Sequence, residues 1–326
     1  MIVYVVRRIL FAMSLLLGIS FGAFAAFGLS LDPTYPLLLG GKEGLHQRHL
    51  LQVHYHLTDP IVVRYLHWLH GLVTHGFGTT VLPTYGRVST GGLAGSDIDP
   101  LVWHAAAVTA QLVAVSLLVV VAGSAVVGAV AARRPSGVVD LTLRTFAYVT
   151  WSVPTFVIGI ELLQWFGGPS SFGPPGGGLG SWLGHMVLPV ATLSLGLVGL
   201  YSRYVRSAML VSLAEPYTVV ARAKGLPERR VVFQHALRNS LAPFVSVVSL
   251  ELGAVVGASL ATDYVFRMNG LAVLFLQALG AADPFELTAI VVVLAVVVIV
   301  FMLVADVVVG RLDPRIRLGG AAQSSL

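Results

Sequence analysis

The sequence predicts an all-α membrane protein of six spanning helices, with an external insertion between the first and second. Three observations carry that expectation. Hydrophobic residues make up 56% of the 326 residues and charged ones 11%, with a mean hydropathy of +0.85; about a quarter of an average soluble domain is charged. Apolar, charge-poor runs recur at the roughly 20 residues a helix needs to cross a bilayer. The cations gather on alternate connections between those runs, as the positive-inside rule requires. Inside lipid the backbone must satisfy its own hydrogen bonds, so such runs are helices.

Arg7 and Arg8 precede an uncharged run over residues 9–29. It exceeds the apolar core of a signal peptide, so residues 1–30 hold a retained first span. Residues 31–101 are a polar insertion, too long for a turn, expected to form a small external domain with helices near 45–55 and 61–73. The core, 102–310, carries spans at about 105–132, 146–166, 182–201, 241–262 and 287–309. Between the third and fourth lies the uncharged Gly/Pro-rich stretch 167–180, read as an external loop. Residues 208–241 form a basic connecting loop and 311–326 a tail.

A charge census orients these spans. One side collects Arg7, Arg8, Arg133, Arg134, Arg144, Arg203, Arg206, Arg222, Lys224, Arg229, Arg230, Arg238, Arg311, Arg315 and Arg317. The other keeps Lys42, Arg48, Arg64, Arg87 and Arg267, which completes the 20 basic residues. Both termini and the basic loop are therefore expected in the cytoplasm of a multi-pass cell-membrane protein. The net charge of +5 reflects topology rather than a nucleic-acid surface. With no cysteine, disulfides and thiolate metal sites are excluded. There is no G-x-x-x-x-G-K-[ST] phosphate loop and no H-E-x-x-H, so no catalytic residue is assigned.

The stretch 217–243, YTVVARAKGLPERRVVFQHALRNSLAP, is a basic island between apolar runs. Arg222 and Lys224 sit where a helix C-terminus favours cations, and Gly225 supplies the left-handed residue that ends such a helix. Leu226 folds back on its last turn, while Pro227 and Glu228 suit the first turn of a second helix over 228–239. Val231, Val232, His235 and Ala236 mark its inward side. Two short helices around a stiff corner make a surface for another protein to grip.

The runs Ala221-Arg222-Ala223-Lys224-Gly225-Leu226 and His235-Ala236-Leu237-Arg238-Asn239 resemble the EAA coupling loop of ABC-importer permeases, in the dipeptide/oligopeptide branch. The tail Asp313-Pro314-Arg315-Ile316-Arg317 is similar to that family's D-P-R-x-R ending. Tyr264-Val265-Phe266-Arg267-Met268-Asn269-Gly270-Leu271 resembles its T-V-F-x-x-P-G-L, with Asn269 in place of proline. The resemblance implies the type I ABC importer permease fold and alternating access. It implies a second permease subunit, two ABC ATPase subunits that hold the ATP and magnesium, and an extracytoplasmic substrate-binding protein. It makes Tyr217, Ala221, Arg222, Ala223, Lys224, Gly225, Leu226, Glu228, His235, Arg238 and Asn239 the ATPase-coupling residues. This chain itself is then a non-catalytic permease for peptides that binds no cofactor.

Other residues invite function. Ser152 and Pro154 lie in a stretch that resembles the family's S-x-P-x-F, and proline there frees a carbonyl in the third span. Glu251, an intramembrane carboxylate, is a candidate for a hydrated translocation path. Glu161 and Asp306, nearer span ends, read as structural carboxylates, and Gly253 with Gly257 as a helix-packing pair. Seven of the ten histidines, His46, His49, His54, His56, His67, His70 and His75, lie in the insertion. Their spacing yields no defined two-histidine-plus-acid template, so no metal ligand is assigned. Import of nickel or another small solute, proton-coupled transport through Glu251, and a receptor or scaffold are the competing functions.

Overall fold

The computed structural model describes residues 2–81, 96–168 and 178–312. The tail motif after Leu312 and Arg87 lie outside them. Regular structure among the described residues is helical, apart from one isolated antiparallel bridge between Thr79 and Asp97.

Four helices are long and apolar enough to cross a membrane unbroken: α1 (Ile2–Ser30), α4 (Ile98–Arg133), α7 (Leu179–Ala214) and α13 (Pro284–Leu312). Two further apolar stretches are bent helix pairs. Helices α5 (Val138–Ser152) and α6 (Thr155–Phe166) turn by 100°, and α10 (Leu237–Leu250) and α11 (Leu252–Phe266) by 57°. Four straight helices and two bent pairs reach the six expected spans if each pair counts as one crossing.

The first break has a local cause. Proline excludes the helical region for the residue before it, and Val153 accordingly sits at φ −89°, ψ 127°. Pro154 then leads α6, and its carbonyl accepts the Val157 and Ile158 N–H groups. The third span is therefore interrupted outright, where the sequence indicated a kink. Pro189 behaves differently and stays inside the continuous α7. The second break needs no proline. At Glu251 the backbone moves to φ −94°, ψ 3° and its N–H tightens onto Val248 O at 3.2 Å.

The chain divides into two compact units. One comprises residues 1–109 and 269–299. It joins α1, the 3₁₀ turn Tyr35–Gly40, α2 (Gly41–His54), α3 (Ile61–His75), the start of α4, α12 (Leu271–Gly280) and the start of α13. Phe24, Tyr65, Trp68 and Phe285 form its aromatic centre, with ring centroids about 6 Å apart. Ser20 and Tyr65 share a hydrogen bond of 2.9 Å, pinning α1 to α3. The buried Arg64 donates to Gly28 O and lies over the Phe24 ring. Asp283, almost fully buried, accepts the Val81 N–H at 2.7 Å and the Phe285 and Glu286 N–H groups at the start of α13. The insertion is therefore stitched to membrane helices of its own unit. Asn269 stands at φ 58°, an angle unreachable for the proline of the family motif.

The second unit comprises 110–268 and the remainder of α13. Helix α7 is its axis, packed against α5, α6, α10 and α11. Small residues set the closest approaches: a Cβ on Gly128 would meet Val205 Cβ at 2.6 Å and Ser202 O at 2.8 Å, and one on Gly199 would meet Ala147 O at 2.8 Å. The packing pair expected from the sequence is elsewhere, since Gly253 and Gly257 face open space. At the basic end of α5 and α7, Arg206 grips the fully buried Asp140 with two bonds of 2.6 and 2.7 Å. Ser136 N–H adds a third donor at 3.0 Å, and Arg144 lies 3.6 Å away.

Candidate functional site

The basic island follows α7 directly. Glu215 is extended at φ −71°, ψ 148°, and Pro216 opens α8 (Pro216–Ala223), the position where a missing N–H costs nothing. The Thr218 hydroxyl donates to Leu213 O and Glu215 O, locking that first turn. The end of α8 is a complete Schellman closure: Leu226 N–H reaches Ala221 O at 3.3 Å and Gly225 N–H reaches Arg222 O at 2.9 Å. Gly225 takes φ 77°, the left-handed angle its lack of a Cβ permits. Pro227, at φ −63°, ψ 142°, then starts the next helix.

That helix is longer than the expected 228–239. A first turn, α9 (Glu228–Arg230), runs into a π-helical stretch, Val231–Ala236, and on into α10 without a break. The corner is therefore the head of a single rod reaching Leu250, roughly 35 Å long at 1.5 Å per residue. The π stretch places Val231, Val232 and Ala236 together on the buried side.

Four contacts stiffen this head. Arg222 and Glu228 pair across the corner through bonds of 3.1 and 3.0 Å. That bond holds the Glu228 carboxyl below its ordinary range and raises the Arg222 guanidinium. Both side chains are more than 40% exposed, so the pair contributes at most about 1 kcal/mol. On the inner face, Ser212 of α7 shares a short hydrogen bond with Tyr217 and donates to Ala236 O at 3.0 Å. Ser240 donates to the same carbonyl at 2.9 Å. One buried serine thus ties α7, α8 and the π stretch together.

The sequence-assigned residues divide by face. Ala221 is buried, while Leu226 and His235 are half-buried. Tyr217, Arg222, Ala223, Lys224, Gly225, Glu228, Arg238 and Asn239 are exposed. Packed, hydrogen-bonded backing carries an outer surface that mixes the cations with the exposed Tyr217, Val219 and Val220, the apolar centre and polar rim of a docking surface. Ser152, Pro154 and Glu251 are also exposed, the first two at the α5–α6 break and the last at the α10–α11 break. The Ser152 hydroxyl donates to Tyr148 O.

Ser212 is not marked out by residue type or spacing, because a serine in a helix looks the same whether or not it reaches across. Nor did it pair Asp140 with Arg206, whose 66-residue separation hides them from one another. In the insertion, His56, Asp59 and His67 come together with ligand atoms within 4.8 Å. The spacing signal there was obscured by five other histidines.

Broken membrane helices joined to a rigid, exposed two-helix head define a polytopic transport subunit. The chain belongs to the family of binding-protein-dependent transport system inner membrane components, whose model matches residues 124–318. This bears out the resemblance carried by the A-R-A-K-G-L and H-A-L-R-N runs. The oligopeptide transport system permease protein AppB of Bacillus subtilis is 29% identical, over 97% of this chain and 99% of that protein. The dipeptide transport system permease protein DppB of Lactococcus lactis is 31% identical over 83% and 86%. Among solved structures, an inward-facing MetNI methionine ABC transporter chain aligns with a TM-score of 0.55 at 18% identity, covering 66% of this chain and 98% of that one. It shares the fold.

Proposed function

We propose that this chain is the permease subunit of a peptide-importing ABC transporter, and that its 217–239 head receives the stroke of the ATPase subunits. The observation that carries the reading is mechanical. The head is a Schellman corner fixed to α7 through Ser212 and continuous with the 228–250 rod. A push on the exposed face around Ala223 and Glu228 is carried along the rod, whose helix continues through the π stretch and past Pro243. The rod ends at Glu251, where the break lets α11 respond by changing its angle. Energy thus enters at a protein surface and emerges as a tilt of a membrane helix.

The peptide assignment rests on relatives named for dipeptide and oligopeptide transport. A second permease subunit, two ATPases carrying ATP and magnesium, and an extracytoplasmic binding protein complete the assembly. Both termini and the head lie in the cytoplasm, as the cation census requires. Ser152, Pro154 and Glu251 border the route taken by the substrate. The chain itself performs no chemistry.

Reconstituted vesicles test this reading. Peptide uptake is expected only with ATP, both ATPases and the binding protein present, and it survives collapse of the proton gradient. Uptake that dies with the gradient at constant ATP would transfer the energy source to Glu251 and overturn the proposal.

A further inference from the structure

We propose that His56, Asp59 and His67 form a site for a zinc-class divalent transition metal on the insertion, at the corner between α2 and α3. Among the described residues this is the cluster whose ligand atoms lie close enough to share an ion, all within 4.8 Å. His56 Nδ1 and Asp59 Oδ2 are already 3.1 Å apart, near the roughly 3.3 Å edge of a tetrahedron of ligands about 2.0–2.1 Å from zinc. His67 is exposed on α3, its ring centroid 4.8 Å from that of His56. Rotation of its ring closes the remaining distance.

The backbone supplies an independent observation. Helix α2 ends in a Schellman closure, with Leu57 N–H on Gln52 O at 2.9 Å and His56 N–H on Val53 O at 3.3 Å. The residue in the left-handed position is His56, at φ 52°. Glycine is the default there, and histidine is among the few other residue types that take the angle readily. The same turn fixes Asp59, whose N–H bonds His56 O at 3.1 Å, and Pro60 then starts α3. Two ligands are thus held in one rigid turn and the third comes from the helix that follows it. Arg64 feels the charge of Asp59 but is engaged with Gly28 O and the Phe24 ring.

The donor set selects the ion. Two imidazoles and one carboxylate favour Zn²⁺, Ni²⁺ or Cu²⁺ over Mg²⁺ or Ca²⁺, which prefer all-oxygen shells. Three protein ligands leave a position open for water or for a group from another molecule. A bound ion would clasp α2 to α3.

Calorimetric titration of Zn²⁺ into the untagged, chelator-stripped full-length protein tests this. A single saturable equivalent is expected. His67→Ala and His56→Gly should each weaken it by at least about tenfold, whereas His70→Ala, one turn along α3, should leave it unchanged. Hydrogen exchange across residues 52–60 supplies the second readout. Zinc should slow exchange in the natural chain and not in His56→Gly, which without metal should exchange no faster than the natural chain because glycine relieves the turn. Absence of saturable binding overturns the proposal, as do equal losses from His67→Ala and His70→Ala. Faster metal-free exchange in His56→Gly would remove the backbone argument and count against it.

Discussion

Gly225→Val is expected to abolish ATP-driven uptake while leaving membrane insertion and yield intact. Gly225 sits at φ 77°, and a Cβ there would meet nothing within 4 Å. The penalty therefore comes from the backbone alone. A left-handed L-residue costs roughly 1–2 kcal/mol, with β-branched side chains worst placed to accept the angle. The closure bonds from Leu226 to Ala221 and from Gly225 to Arg222 then open, and the head loses its angle to the rod. Because the strain is local and exposed, the membrane helices fold as before. Asparagine tolerates the left-handed region, so Gly225→Asn should keep most of the uptake and Gly225→Ala an intermediate share. Vesicle uptake per inserted molecule checks the order Gly, Asn, Ala, Val. Natural uptake by the valine variant would separate the corner from coupling.

Arg206→Ala is expected to have the largest effect on stability. Its partner Asp140 is fully buried and takes two bonds from Arg206. Removing the guanidinium strands a buried carboxylate, which typically costs about 3–5 kcal/mol. Arg144, at 3.6 Å and 40% exposed, is too loosely placed to take over. Replacing both partners with apolar residues, Asp140→Leu with Arg206→Met, should recover most of the loss because no charge is then left unpaired. Thermal unfolding of the detergent-purified variants reads this directly. A double variant no better than Arg206→Ala would locate the loss in packing rather than in the stranded charge.

Legibility in the sequence followed the range of the interactions. Helices and their ends depend on neighbours within a few residues, so α2, α3 and the Gly225 corner were readable from residue type and spacing. The Pro154 interruption was anticipated in place but underestimated in extent, because composition does not say whether packing will straighten a proline, as happens at Pro189. The break at Glu251 carried no proline, and Gly253 just beyond it reads equally well as a packing residue. The continuation of the 228–239 segment into α10 was hidden because the polar-to-apolar change at Leu241 looks like a boundary although the helix runs through it. Contacts far apart in sequence, such as Ser212 with Ala236 or His56 with His67, depend on the fold bringing them together.

The absence of cysteine gives a clean background for the most direct test of the central claim, that the exposed head is where the ATPases take hold. A single cysteine at the exposed Ala223 should cross-link to the ATPase subunit in the assembled complex, and in intact cells it should resist a membrane-impermeant maleimide. Labelling of that cysteine from outside, with no ATPase adduct, would contradict both the orientation and the coupling role.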